Sequence, residues 1–165
     1  MKKVILVQLL MISSIFANSQ VFNFTDGKLD LSMKCKIEKS FQYTVKSKLG
    51  SYVSAYNNTV NIDANKMKDY ITYEDSSLIS AIVKFHPIQS MQQTLWDGEV
   101  SFEKQGDSVL IKIEKLTLLK YSGFAGEGAF KDGIFTEEKS KKIQKSMLLK
   151  LKEEIDYSFF DKFIQ

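Results

Sequence analysis

Lys28-Leu29-Asp30-Leu31-Ser32-Met33-Lys34-Cys35-Lys36-Ile37 alternates without a break. Leu29, Leu31, Met33, Cys35 and Ile37 fall on one side, while Lys28, Asp30, Ser32, Lys34 and Lys36 fall on the other. A period of two over ten residues is the pattern of a strand with one buried face. A sheet with one apolar face must be covered, so amphipathic helices are to be sought elsewhere in the chain. The alternation also places Cys35 on the buried side, where a thiol is an inert small hydrophobe rather than a nucleophile.

Upstream, Val21–Phe24 followed by Asp26-Gly27 predicts a short strand entering a tight turn. Downstream, Glu38–Tyr56 supports two readings. Phe41, Val45, Leu49, Tyr52 and Tyr56 form a stripe at helical spacing, while Phe41, Tyr43 and Val45 also alternate as in a strand. Helix is favoured because the stripe persists for four turns, with strand as the alternative. Strands are then expected over 69–73 and 78–85 around Glu74-Asp75-Ser76-Ser77, with His86-Pro87 stopping the second. A second hairpin is expected from Glu99–Glu103 and Asp107–Leu118 across Lys104-Gln105-Gly106.

A glycine-rich stretch, 122–133, precedes a C-terminal helix. Thr136 is its expected N-cap, and Glu137 and Glu138 suit the positive end of the helix dipole. Ile143, Met147, Leu151 and Ile155 repeat every four residues, and Phe159, Phe160 and Phe163 extend the row. The expected fold is α+β: a curved antiparallel sheet with a first helix and a long C-terminal helix packed on one face.

The first 19 residues read as a signal peptide. Lys2 and Lys3 precede an apolar run of about 13 residues, shorter than the roughly 20 that cross a bilayer as a helix. Ala17-Asn18-Ser19 gives a small-x-small cleavage pattern, with Ser19 and Gln20 flanking the cut. Residues 20–165 are then expected to be one exported domain, periplasmic or secreted, with no transmembrane segment in the mature chain. No Cys stands directly after the cleavage point, and Cys35 lies far beyond it, so lipid anchoring is not expected.

Composition excludes several chemistries. All 23 basic residues of the 165 are Lys, with one His, one Cys and no Arg. One Cys closes no internal disulfide, and one His with one Cys builds no ordinary zinc site. Without Arg, bidentate recognition of phosphate or guanine is disfavoured. Removing Lys2 and Lys3 leaves 21 Lys against 20 Asp plus Glu, so no net field remains to attract nucleic acid. No cofactor, metal or nucleic acid is expected.

Local motifs agree. Gly123 and Gly128 have phosphate-loop spacing, but Ala129-Phe130 stand where Lys and Ser or Thr are needed. Gly126 and Gly128 could start a dinucleotide fingerprint, but Lys131 occupies the third glycine position. Glu99 and Glu103 lie roughly 13 Å apart along a strand, too far for a glycosidase pair. The Lys-rich face of the C-terminal helix is interrupted by acids and reads as solvated. His86 could act as a general base only with a partner that sequence does not locate. Trp96, beside Asp97-Gly98 read as a turn, and Tyr121 are the candidate exposed contacts. Phe124 and Phe130 of the glycine-rich loop join them as candidate binding residues.

The stretch Lys68-Asp69-Tyr70-Ile71-Thr72-Tyr73-Glu74-Asp75, followed by Ile79–Phe85, is similar to a hairpin in a family of small exported Bacteroidota proteins of unknown function. The Glu99–Leu118 hairpin, glycine-rich loop and terminal helix follow that family's order, so the likeness spans about residues 28–163 in pattern. Lys104-Gln105-Gly106-Asp107 replaces the family's usual Lys-Asp-Gly turn, and its customary Trp in the first helix is absent. The resemblance implies a TATA-box-binding-protein-like fold, a helix-backed curved antiparallel sheet. It implies no activity, and the fold name does not imply DNA binding.

The functional expectation is a non-enzymatic binding module of the bacterial cell envelope, contacting an envelope protein or polymer. One alternative is a helix-grip-like carrier of an apolar small molecule, its lining supplied by aromatics and six Met. The other is a hydrolase built on His86.

Overall fold

Asp26, with φ of 52°, starts the turn that follows Phe24–Thr25. It joins strand β1 (Phe24–Thr25) to β2 (Lys28–Leu29), which pair antiparallel with Phe24 opposite Leu29. The computed structural model describes residues 20–26, 28–60, 70–89, 92–122 and 133–164. The alternating stretch continues into β3 (Ser32–Lys36), and burial follows the alternation, with Cys35 buried and Lys34 and Lys36 exposed.

The ambiguous segment is a helix, α1 (Phe41–Val60). Ser40 Oγ accepts the Tyr43 N–H at 3.2 Å, a side-chain N-cap. Phe41, Val45, Leu49 and Tyr52 are buried as one stripe. Four turns of apolar side chains outweigh the modest helix propensity of Tyr, Thr and Val.

β4 (Ile71–Glu74) and β5 (Leu78–Phe85) form the expected hairpin. Asp75 builds its turn. Oδ1 accepts the N–H groups of Ser77 and Leu78, each at 2.7 Å, and Oδ2 accepts the Tyr73 hydroxyl at 2.8 Å. These bonds favour the ionised carboxylate, led by the Ser77 N–H, and hold its pKa down at about 2. After β5 comes β6 (Ile88–Gln89), which pairs with the next long strand.

That strand, β7 (Gln92–Gln105), and β8 (Ser108–Ser122) make a hairpin much longer than its sequence suggests. Asp97-Gly98 is strand interior, not a turn. Both residues are poor strand formers in general, but a glycine is required at position 98. A β-carbon there would lie 2.6 Å from Cε2 of the Phe85 ring on β5. The strand is kept by a ring that needs the empty space.

The sheet runs β3-β8-β7-β5-β4, antiparallel throughout and open. Two bulges on β8 re-aim its side chains. Val100 pairs with Ile113 but Glu99 with Lys115, and Trp96 pairs with Leu118 but Leu95 with Lys120. Val109, Ile111 and Ile113 are therefore followed inward by Leu116 and Leu118, a switch of parity no simple alternation contains.

The C-terminal region begins with the short α2 (Glu137–Ser140), N-capped by Thr136, whose side chain accepts the Lys139 N–H. It is not one long α-helix. After a break at 141–144, α3 (Lys145–Glu153) leads into a π-helical segment (Glu154–Phe160) and then α4 (Asp161–Ile164). The four-residue repeat explains the widening. On a 3.6-residue helix each four-residue step drifts by about 40°, so Met147, Leu151, Ile155, Phe159 and Phe163 would spread over about 160°. Widening the turn brings the last two back, and all five are buried.

Phe159 packs edge-on to Phe85, with ring centroids 5.6 Å apart, and to Tyr52 at 5.1 Å. Phe163 meets Phe102 at 5.4 Å. α1 and the C-terminal helices thus cover the same sheet face. The opposite face is a lattice of charges: Lys84 with Asp97, Lys112 with Glu103 and Lys115 with Glu99, all at 2.6–2.9 Å. Among the described residues, no helix is long and apolar enough to cross a membrane.

Candidate functional site

The edge of β3 that pairs with no described strand lies with the C-terminal helix around an open groove of about 500 Å³. Leu31 and Met33, on the inward phase of the alternating stretch, and the buried Phe160 line it. Tyr157 and Ile164 stand on its helical wall, 71% and 68% exposed. The other apolar residues of the segment 154–164, Ile155, Phe159, Phe160 and Phe163, are buried, so that exposure is informative. Asp30, Asp156 and Asp161 bring three carboxylates to the lining against the one ammonium of Lys152, which pairs with Asp156 at 2.7 Å. An apolar floor with polar groups around it is the usual form of a binding cleft.

A polar corner lies on the same helical segment. Glu154 Oε1 accepts the backbone N–H of His86 at 2.8 Å and lies 3.3 Å from the Tyr52 hydroxyl. That hydroxyl also donates to the Lys84 carbonyl at 2.9 Å. One carboxylate therefore ties α1, the end of β5 and the π-helical segment together. Burial pushes the pKa of Glu154 up to about 6, with the His86 N–H and the Tyr52 hydroxyl pulling less strongly the other way. Glu154 is half-buried. Its place three residues after Leu151, on the flank of the apolar row, is the signal that could have found it.

The corner does not pair the Glu154 carboxylate with the His86 ring. Glu154 meets the backbone of His86 rather than its ring, and the buried Nδ1 of His86 has no hydrogen-bond partner among the described residues. General-base histidines need an orienting acceptor on one ring nitrogen. No cluster of three His, Cys, Asp or Glu among the described residues could hold a metal ion.

The residues singled out in the sequence are scattered. Trp96 is not an exposed contact. It is 1% exposed, its Nε1–H donates to Thr94 Oγ1 at 2.8 Å, and its ring meets Phe135 at 5.5 Å. With Asp97-Gly98 inside the strand rather than in a turn, Trp96 falls on the inward phase. Tyr121 pairs in register with Thr94 near the end of β8. Phe124, Phe130 and Ser19 lie outside the described residues, and Gln20 is exposed. Cys35 is buried, and burial raises its pKa. The seam where a helix-grip carrier would hold its ligand is occupied by Phe85, Phe102, Phe159 and Phe163.

No family model matches the sequence, and no curated protein does. Solved structures that are similar include two from Bacteroidota. A DUF4468 family protein from Bacteroides ovatus ATCC 8483 shares 16% identity over 85% of each chain, with a TM-score of 0.47. A TBP-like protein from Parabacteroides distasonis ATCC 8503 shares 11% identity over 87% of this chain and 95% of its own, also at 0.47.

Proposed function

We propose that the chain is an exported, non-enzymatic binding module of a bacterial cell envelope, and that it engages its partner through the groove between β3 and the C-terminal helix. The observation that carries this reading is Tyr157, 71% exposed on the wall of a groove floored by Leu31, Met33 and Phe160. Tyrosine in such a place supplies contact area at small entropic cost and is enriched where proteins bind. The open sheet face is the weaker candidate, since its Lys and Glu side chains already neutralise one another.

The test is a photo-crosslinking amino acid placed at Tyr157, and separately at Lys115 on the open sheet face, in cells that export the protein. Adducts to one envelope protein from position 157 alone are expected. Equal yields from both positions, or none from 157, would overturn the reading. The exported form should begin at Gln20 by mass, and a mature chain retaining residues 1–19 would remove the export step.

A further inference from the structure

Resting on the groove reading above, we infer that the partner is an extended peptide segment that adds, as a further strand, to the edge of β3 that no described strand occupies, with acidic residues alternating with apolar or basic ones.

The backbone supplies the first argument. Ile113 N–H donates to Leu31 C=O and Ile37 N–H donates to Asp107 C=O, both at 2.9 Å. In an antiparallel pair the residues bonded to the neighbour alternate with residues whose N–H and C=O point away. Leu31, Met33, Cys35 and Ile37 therefore bond to β8, and Ser32, Lys34 and Lys36 present their backbone groups outward. Asp30 obeys the same rule, since its N–H bonds the Asn23 carbonyl at 2.9 Å on the outer side. The preceding hairpin thus covers the edge only as far as Asp30, and the groove begins where that cover ends. Further along β8, residue 134 bridges Thr117 and closes that part of the edge. At the opposite side of the sheet, β4 is four residues long and irregular in register, a poor template.

Charge supplies the second argument and selects the occupant. Lys34 and Lys36 point to the open face beside this edge, and neither is in an ion pair with a described residue. A second copy pairing antiparallel about this edge would place Lys34 opposite Lys34, which is unfavourable. A strand with Glu or Asp at those positions would instead gain cross-strand pairs. Its alternate residues would face the groove, where Leu31, Met33 and Phe160 receive apolar side chains. Asp30 and Asp161, unpaired among the described residues, would receive a basic one. A groove between an edge strand and a helix is the setting in which strand addition joins main-chain bonding to side-chain pockets.

The probe is a fluorescein-labelled ten-residue peptide with Glu at alternate positions and Leu, Lys, Leu and Val among the intervening ones. A peptide of the same composition, with its Glu residues grouped at one end, is the control. Binding is read by fluorescence anisotropy against the mature chain. The alternating peptide is expected to bind at least about tenfold more tightly than the grouped one. Lys34→Pro removes an outward N–H while leaving the bonds to β8, and is expected to weaken binding about tenfold. Lys34→Glu is expected to do the same with the fold unchanged by circular dichroism. Equal affinity for the two peptides, no binding by either, or indifference to both substitutions would overturn the inference. Adducts at Tyr157 in cells alongside such a result would leave the groove as a site and dismiss strand addition alone.

Discussion

The backbone N–H of His86 donates to Oε1 of Glu154 at 2.8 Å, across 68 residues of sequence. β5 ends at Phe85 and Pro87 follows, so the sheet offers the His86 donor no partner, and a side chain from the C-terminal helix supplies one. The arrangement costs the carboxylate part of its hydration.

That cost should be visible as a pH dependence of stability. The carboxyl titrates near 6 when folded against the usual 4.5, so the folded state holds the proton more tightly. The stability contribution is full below pH 4.5 and lost as pH rises through 6, amounting to about 2 kcal/mol. Glu154→Gln keeps an acceptor for the His86 N–H and removes the titration. Urea midpoints measured from pH 4 to pH 7.5 should match wild type at the acid end and exceed it at the neutral end. Parallel curves would contradict the assignment.

Gly98→Ala tests the close approach of Phe85. The new methyl would meet a ring that is itself held by Phe159 and Tyr52, with ring centroids at 5.6 and 6.2 Å. A loss of roughly 1–3 kcal/mol is expected from overpacking. Adding Phe85→Leu should recover part of it, because the colliding ring edge is gone. Additive losses in a double-mutant cycle would show that the two positions are independent.

Deleting Ser158 should convert the π-helical segment to α-helix. Ile155, Phe159 and Phe163 would then follow 3- and 4-residue steps, which keep one face on a 3.6-residue helix. The variant is expected to fold with stability within about 1.5 kcal/mol of wild type, and with amide-proton contacts of α rather than π spacing. Loss of folding would mean that the widening is held by something other than the four-residue repeat.

The Asp75 turn should resist acid. Its carboxylate is expected to titrate near 2 by carbon-detected NMR, below the usual Asp value of 3.8, and its stabilisation is present above the usual carboxylate pKa and fades as pH falls toward 2. Asp75→Ala should speed hydrogen exchange at the Ser77 and Leu78 amides while leaving Val83 protected. Unchanged exchange at those two amides would refute the role given to Asp75.

The alternating stretch Lys28–Ile37 is divided between β2, which pairs with β1 in a sheet of its own, and β3 in the main sheet. The β3 part, the α1 stripe and the cap at Thr136 rest on interactions within a few residues of sequence, and each was legible there. The chain by itself determined the α+β class, the antiparallel hairpins and the inward phase of β3, because period and turn chemistry are local. Tertiary structure alone decided that Gly98 lies inside a strand, since the reason is a ring thirteen positions away. It alone decided the β8 bulges, which reverse side-chain phase without changing residue type, and the buried Trp96 that follows from correct strand limits. The groove is of the same kind. Tyr157 becomes a candidate contact only when β3, whose own partner strand lies some 75 residues downstream, is set beside the C-terminal helix.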